Sequence, residues 1–189
     1  GLTGNREASS PEHHTPSFIP SISVVISTFD RPVFLDEALR SLEAQTHTAL
    51  EVIIIDDASK KLETASFFKE NHDRFSANGW TVVRNEQEKW PGAARNQGVN
   101  LAKGDYVLFM DDDNIAFPDE IEVFVKVAAA SNADFITCQQ QPFTTSTGAP
   151  MFRDEMPYSW LPVGACVSLA VYENCLGDLN MLARRTTFL

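Results

Sequence analysis

Short apolar runs recur along this chain without a charged residue inside them, and each is long enough for one strand. A strand that is covered on both faces in a parallel sheet has this continuous pattern. The runs occupy residues 22–27, 52–55, 81–83, 106–110 and 135–138. Segments with apolar residues at helical spacing separate most of them. The alternation predicts an α/β fold, with a mostly parallel sheet and helices on both faces.

Local signals place the helices between these strands. Asp30 is predicted to cap the first helix, and Pro32 suits its first turn. A second helix is expected around Phe67, a later one over residues 93–102, and another that begins near Pro118. The order of elements is therefore strand, helix, strand, helix along most of the chain.

The chain divides into a leader and one domain. Residues 1–20 are rich in Ser, Pro, His, Thr and Glu and have no apolar period, which predicts a flexible leader. Residues 21–189 are predicted to form the domain. The pattern weakens in residues 139–162, which are expected to form a long excursion, and residues 164–171 and 180–183 are expected to be late strands.

Composition narrows the class of protein. The net charge of −11 argues against a nucleic-acid partner, which needs a basic surface. No apolar stretch approaches the ~20 residues that span a bilayer, and Lys126 interrupts the longest one. The three cysteines, Cys138, Cys166 and Cys175, have no metal-ligand spacing and are expected to be reduced thiols. We expect a cytoplasmic protein, with any membrane association supplied by a longer parent protein.

Acidic and polar residues follow three of the predicted strands, in residues 27–30, 56–59 and 111–114. Ligands of an open parallel sheet bind beyond the carboxyl ends of its strands. Five aspartates therefore meet at one edge, with Asp30 as a candidate sixth. A divalent ion such as Mg²⁺ or Mn²⁺ compensates such clustered charge, together with substrate phosphates. Aspartates at strand ends also stabilise turns, and for Asp56 or Asp57 alone that role is an equally good interpretation.

A turn of small residues leads into the predicted helix at residues 93–102. Residues 91–98 read PGAARNQG, and backbone N–H groups at such a helix start favour an anion. Arg95 adds a permanent cation that can bind two oxygens at once. The segment favours binding of an anion such as a phosphate, and its position ahead of an acidic strand end strengthens that interpretation. A simple helix start with a surface arginine is the alternative.

Three segments together resemble family 2 glycosyltransferases. They are SVVISTFDRPVFLDEALRSLEAQT at residues 23–46, EVIIIDDAS at 51–59 and PGAARNQGVNLAKGDYVLFMDDDN at 91–114. Their order and spacing match that family from about Ser21 to Asp134. The resemblance implies the Rossmann-like A-type glycosyltransferase fold. It also implies transfer of a sugar from a nucleoside-diphosphate sugar, in most cases linked to UDP, to a saccharide or lipid-linked acceptor, with inversion.

The resemblance assigns nucleotide contacts to several residues. Thr28 and Phe29 would line the nucleoside pocket. Asp57 would accept a hydrogen bond from the base, typically from the imide N–H of uracil. Arg95 would lie beside the base or the diphosphate.

The triple aspartate matches the family's D-x-D motif. Asp113 would be the direct ligand of Mn²⁺ or Mg²⁺. Asp111 or Asp112 would contact the ribose or a metal-bound water, and Asp111 is the second candidate metal ligand. Which of these two has which role is left open by three aspartates in a row.

One departure from the family concerns the general base. Members carry it in an acidic E-D motif of the acceptor half, and Glu173 and Asp178 lie too early to match. The chain also begins with Gly1 and not Met. We expect a piece of a longer protein that binds the donor, with the base beyond Leu189 and with little or no transfer by this piece alone.

Two other classes of protein fit these residues less well. A sugar-phosphate nucleotidylyltransferase needs a glycine-rich basic loop after the first strand, and residues 27–31 contain no glycine. A phosphoacceptor receiver domain needs an aspartate after the third strand, which instead ends in Arg84 and Asn85. A nucleotide-binding module without catalysis remains an alternative.

Overall fold

A six-stranded sheet forms the centre of the protein. The computed structural model describes residues 18–48, 50–140 and 180–189. The strands are β1 (Ile22–Thr28), β2 (Leu50–Asp56), β3 (Thr81–Arg84), β4 (Tyr106–Asp111), β5 (Phe135–Thr137) and β6 (Met181–Arg184), and their order across the sheet is β3-β2-β1-β4-β6-β5. The pairs β3–β2, β2–β1 and β1–β4 are parallel, whereas β6 is antiparallel to both β4 and β5. The predicted α/β fold with a mostly parallel sheet is therefore confirmed.

Helices cover both faces of this sheet. They are α1 (Pro32–Glu43), α2 (Leu62–Glu70), α3 (His72–Ala77), α4 (Trp90–Leu101) and α5 (Glu120–Ser131), and a 3-10 turn (Arg185–Thr187) follows β6. Alternate residues of β1 point to opposite faces, as the pleat of a strand requires. Ile22, Val24 and Ile26 belong to a core that includes residues of α1, α2, α3 and α5, whereas Val25 packs in a second core with Ala94 of α4. Among the described residues, no helix is long and apolar enough to cross a membrane.

The entry to α1 differs from the prediction. Pro32 occupies the first turn as expected, but Asp30 does not cap the helix, because the N-cap position is Arg31 and no side chain bonds there. Asp30 instead has a left-handed backbone conformation with φ 55°. Its carboxylate accepts hydrogen bonds from the backbone N–H groups of Lys60 and Lys61, at 2.9 and 2.8 Å. Asp30 therefore joins the turn after β1 to the loop after β2.

Glycine lets α4 approach the sheet closely. A Cβ atom on Gly98 would lie 2.3 Å from Cγ1 of Val25, which is buried in β1. Because the side chain of valine is stiff about χ1, it has little freedom to move aside. Gly98 therefore sets the distance between α4 and β1, and α4 carries Arg95 one turn earlier.

Several sequence-based predictions fall outside the described residues. These are the leader up to Ser17, the excursion from Gln141 onward, the late strand at residues 164–171, and the positions of Cys166, Cys175, Glu173 and Asp178. The division into leader and domain stays a prediction. The late strand expected at residues 180–183 is present as β6, one residue further along.

We predict that Gly98→Ala lowers the free energy of unfolding by about 1–3 kcal/mol, the usual cost of an extra carbon in a filled core. Gly92→Ala, near the start of the same helix, is the control. Apart from its chain neighbours and the backbone of its own helix, no heavy atom of the described residues lies within 4 Å of a Cβ placed there. This change should therefore leave stability equal or slightly higher. Urea unfolding of the parent and both variants measures the difference. Equal stability of the two variants would show that α4 does not depend on this close approach.

Candidate functional site

The carboxyl ends of three neighbouring strands lie at one edge of the sheet. β1 pairs with β2 on one side and β4 on the other, so Thr28 is opposite Asp56 and Ser27 is opposite Asp111. The loops that leave these strands therefore start at the same level. As predicted from their positions after the strands, the polar segments at residues 27–30, 56–59 and 111–114 therefore lie together.

Asp112 points inward from this edge. Its Oδ2 accepts a hydrogen bond from the Thr28 hydroxyl at 2.7 Å, and its Oδ1 accepts one from Nη1 of Arg31 at 2.9 Å. Only 6% of its side chain is exposed. Burial raises the pKa of Asp112, as do the charges of Asp113 and Asp111, and together they outweigh the Thr28 hydrogen bond and the charge of Arg31.

Asp111 and Asp113 are on the open side of the same segment, and each is paired with an arginine. Nη2 of Arg95 donates to Oδ1 of Asp111 at 2.5 Å, and Nη2 of Arg31 donates to Oδ2 of Asp113 at 2.6 Å. Their side chains are 28% and 41% exposed, respectively. Burial lowers the pKa of Arg31. The charges and hydrogen bonds of Asp112 and Asp113 raise it, and together they outweigh burial, so the pKa lies above its usual value. Two guanidinium groups thus offset most of the charge of the three carboxylates.

The two aspartates after β2 have different surroundings. Asp56 is fully buried, forms an ion pair with Nε of Arg84 at 2.5 Å, and accepts a hydrogen bond from the Ser59 N–H at 3.1 Å. Asp56 therefore stabilises the ends of β2 and β3. This is the turn-stabilising role that the sequence left open for it.

Asp57 joins the loop after β3 to the start of α4. Its carboxylate accepts a hydrogen bond from Nδ2 of Asn85 at 2.9 Å and from the Lys89 N–H at 2.9 and 3.0 Å. A cavity of about 450 Å³ lies beside it. The cavity is lined by Ala58, Ser59, Lys60, Asn85, Glu86, Gln87 and Glu88. Phe29 borders this region, with the Lys60 ammonium 5.7 Å from its ring centroid.

Comparison with known proteins decides the family. The model of glycosyl transferase family 2 matches residues 23–174, more than half of the chain. The chain belongs to glycosyltransferase family 2. The family therefore supports a glycosyltransferase over the nucleotidylyltransferase and receiver-domain alternatives.

Proteins similar in sequence to this family 2 chain are also named as glycosyltransferases. An uncharacterized glycosyltransferase of Haemophilus influenzae is 34% identical over 116 residues, which are 61% of this chain and 37% of that relative. A GalNAc(5)-diNAcBac-PP-undecaprenol beta-1,3-glucosyltransferase of Campylobacter jejuni is 31% identical over 99 residues, covering 51% of this chain and 30% of that enzyme. The chain thus spans only about a third of the length of these two relatives.

Solved structures support the fold. The crystal structure of S. aureus TarS 1-349 in complex with UDP-GlcNAc has a TM-score of 0.66 at 22% identity, with 88% of this chain and 46% of that one covered. The mannosyltransferase PcManGT from Pyrobaculum calidifontis, in complex with GDP-Man and Mn²⁺, has a TM-score of 0.57 at 22% identity, with 67% and 37% covered. At these identities the likeness concerns the fold, and the predicted A-type glycosyltransferase architecture is confirmed.

The donor set of this family 2 site fits a cation that shares its shell with phosphates. Within residues 18–48, 50–140 and 180–189, no three His, Cys, Asp or Glu side chains form a metal site by themselves. Mg²⁺ is commonly held by one or two carboxylates plus phosphate and water oxygens. Asp111 and Asp113 provide two partly exposed carboxylates for this arrangement. Asp112 is not a third carboxylate of this kind, because Thr28 and Arg31 bind its two oxygens.

Several residues that the fold brings to this site were not predicted from the sequence, and Arg31 and Lys89 are two of them. Arg31 bridges Asp112 and Asp113, and the Lys89 N–H binds Asp57. Arg31 follows the polar segment after β1 directly, and its position in that turn was the one signal available. Lys89 contributes a backbone group, so its side-chain type carried no signal.

We predict that Asp57→Asn lowers the free energy of unfolding by about 1–3 kcal/mol, because an amide –NH₂ then faces one of the two donors that the carboxylate accepts from. Glu86→Gln is the matched control, since Glu86 is an exposed neighbour at the same cavity. Thermal or urea unfolding of both variants measures the effect. If both variants unfold like the parent, Asp57 does not fasten the loop to α4.

Proposed function

We propose that this chain is the donor-binding part of a glycosyltransferase that moves a sugar from a UDP-sugar to an acceptor hydroxyl with a divalent metal and with inversion. The main support is the arrangement at the end of β4. Two partly exposed carboxylates, Asp111 and Asp113, flank a buried one, and two arginines lie beside them. This arrangement offers both a cation site and cationic groups for a diphosphate.

Thr28, Phe29 and Asp57 would bind the nucleoside. Phe29 offers an aromatic surface, and Thr28 fixes the β4 segment through Asp112. An ionised carboxylate has about four acceptor positions, and Asn85 and Lys89 use part of that capacity in Asp57. We assign the remainder to the imide N–H of uracil. The cavity of about 450 Å³ beside Asp57 lies within the usual range for small-ligand sites.

Asp111, Asp113 and Arg95 would bind the diphosphate end of the donor. Asp113 would be the principal metal ligand, with Asp111 either a second ligand or a contact to ribose or metal-bound water. A divalent ion, when bound, offsets negative charge that grows on the leaving diphosphate. Arg95 lies on α4 within hydrogen-bond distance of Asp111, from where its second guanidinium edge can reach a phosphate oxygen.

The relatives suggest the substrate class. TarS was solved with UDP-GlcNAc, PcManGT with GDP-Man and Mn²⁺, and the C. jejuni relative is named for an undecaprenol-linked substrate. We therefore propose a nucleoside-diphosphate sugar as donor and a saccharide or a lipid-linked saccharide as acceptor. Because the chain spans about a third of the relatives' lengths, the activity of the whole protein belongs to this proposal as well.

The first test is the metal dependence of nucleotide binding. Isothermal titration of UDP should give an affinity on the order of tenfold tighter with Mn²⁺ than with chelator, which corresponds to about 1.4 kcal/mol. Asp113→Ala should remove most of this difference because it removes the principal ligand. Asp73→Ala is the control. Asp73 is fully exposed on α3, and α3 leads into β3, so Asp73 lies towards the amino ends of the strands and away from the site.

The metal site and the nucleotide site can be tested independently by these titrations. Equal UDP affinity with Mn²⁺ and with chelator would contradict the metal site but leave the nucleotide site. No measurable binding of UDP or GDP under either condition would contradict the donor site itself.

A further inference from the structure

The guanidinium of Arg31 lies across two consecutive aspartates. Nη1 donates to Asp112 at 2.9 Å and Nη2 donates to Asp113 at 2.6 Å. The guanidinium carbon is also 5.1 Å from the ring centroid of Phe34 on α1. The planar fork of arginine suits this bridging position, because its donors point in fixed directions. Arg31 therefore occupies an oxygen of Asp113, the proposed principal metal ligand.

The two contacts of Arg31 differ in how easily they break. Asp112 is buried, and the Thr28 hydroxyl holds its other oxygen. Asp113 is partly exposed, so water and ions reach it. An ion pair in such surroundings is weak and is readily exchanged for another cation. Arg31 is thus anchored at Asp112 and exchangeable at Asp113.

A divalent cation on Asp113 would conflict with Arg31 in its present position. Arg31 binds Oδ2 of Asp113, so a cation on the same carboxylate would lie a few ångströms from the guanidinium, and two cations at that distance repel each other. Leaving Asp113 frees Nη2, while Nη1 retains its bond to Asp112. The freed donor would then be available to an oxygen of the proposed diphosphate.

We propose that Arg31 is a positioning residue that occupies Asp113 in the absence of metal, is displaced from it by the cation, and then donates to the diphosphate. The inference rests on the proposed donor site and adds a mechanism for its filling. Metal and nucleotide are then coupled, because each favours the position of Arg31 that the other requires. Such coupling is reciprocal for binding free energies.

The test is direct binding of Mn²⁺, measured by electron paramagnetic resonance without nucleotide. Arg31→Gln should bind Mn²⁺ about five times more tightly than the parent, because the cation then no longer has to break a partly exposed ion pair, and a pair of that kind corresponds to a factor of about this size. Arg40→Gln is the matched control. Arg40 lies on α1, is mostly exposed and pairs with Asp36, so this variant makes the same change in net charge away from the site. Its Mn²⁺ affinity should equal that of the parent.

A second variant separates displacement of the fork from loss of charge. Arg31→Lys keeps the positive charge but cannot donate to both carboxylates from a planar group, so it should also bind Mn²⁺ more tightly than the parent. In both Arg31 variants, the factor by which UDP improves Mn²⁺ affinity should fall below that of the parent. Unfolding curves confirm that each variant is folded under the binding conditions.

The outcomes distinguish this inference from the proposed function. If the parent binds Mn²⁺ and UDP, and Arg31→Gln or Arg31→Lys binds Mn²⁺ no more tightly than the parent, the role of Arg31 is overturned and the donor site stands. If Arg40→Gln gains as much as Arg31→Gln, net charge explains the effect, and the inference is also overturned. If the parent binds neither Mn²⁺ nor UDP, both proposals fail.

Discussion

The position of β1 between β2 and β4 is the constraint on which the site depends. Parallel pairing on both sides aligns the strand ends, so that Thr28 is level with Asp56, and Ser27 with Asp111. Parallel strands need crossover connections, and the helices in those crossovers cover the sheet on both faces. The loops after β1, β2 and β4 therefore leave from strands that have a paired neighbour on both sides. Residues up to 84 positions apart in the chain, such as Thr28 and Asp112, meet there.

Concentrating carboxylates at that edge has an electrostatic cost, and the fold offsets it before any ligand arrives. Burying a carboxylate disfavours its charged form unless cations or donors compensate. Most of these carboxylates form an ion pair with an arginine. The pairs are Asp56 with Arg84, Asp111 with Arg95, and both Asp112 and Asp113 with Arg31. Asp57 instead relies on neutral donors from Asn85 and Lys89. A ligand bound as proposed would exchange partners with groups that are already paired, so the arginines would affect binding even where they touched no ligand.

The same contacts give several residues at this edge a structural role, including two of the proposed nucleotide contacts, Thr28 and Asp57. Thr28 holds Asp112, Asp57 holds the loop ahead of α4, and Asp30 holds the loop after β2. A substitution at any of them changes the shape of the edge as well as its chemistry. Stability and ligand affinity must therefore be measured together before a loss of binding is assigned to a lost contact with nucleotide.

The class of fold, the places of most strands and the acidic edge follow from the pattern of residues alone. Strands buried on both faces must be apolar throughout, so the runs at β1, β2 and β4 were visible without structure. The three motifs in register also identified the family that the comparisons confirm. Only the tertiary structure decided that β6 lies antiparallel between β4 and β5, that Asp30 turns away from α1, and which of the three consecutive aspartates faces inward. These features depend on pairings between distant segments, and the pattern of residues within one segment does not record which distant side chain will supply its partner. Arg31 is the clearest case, because its partners are 81 and 82 positions away and only the parallel pairing of β1 with β4 brings them within reach.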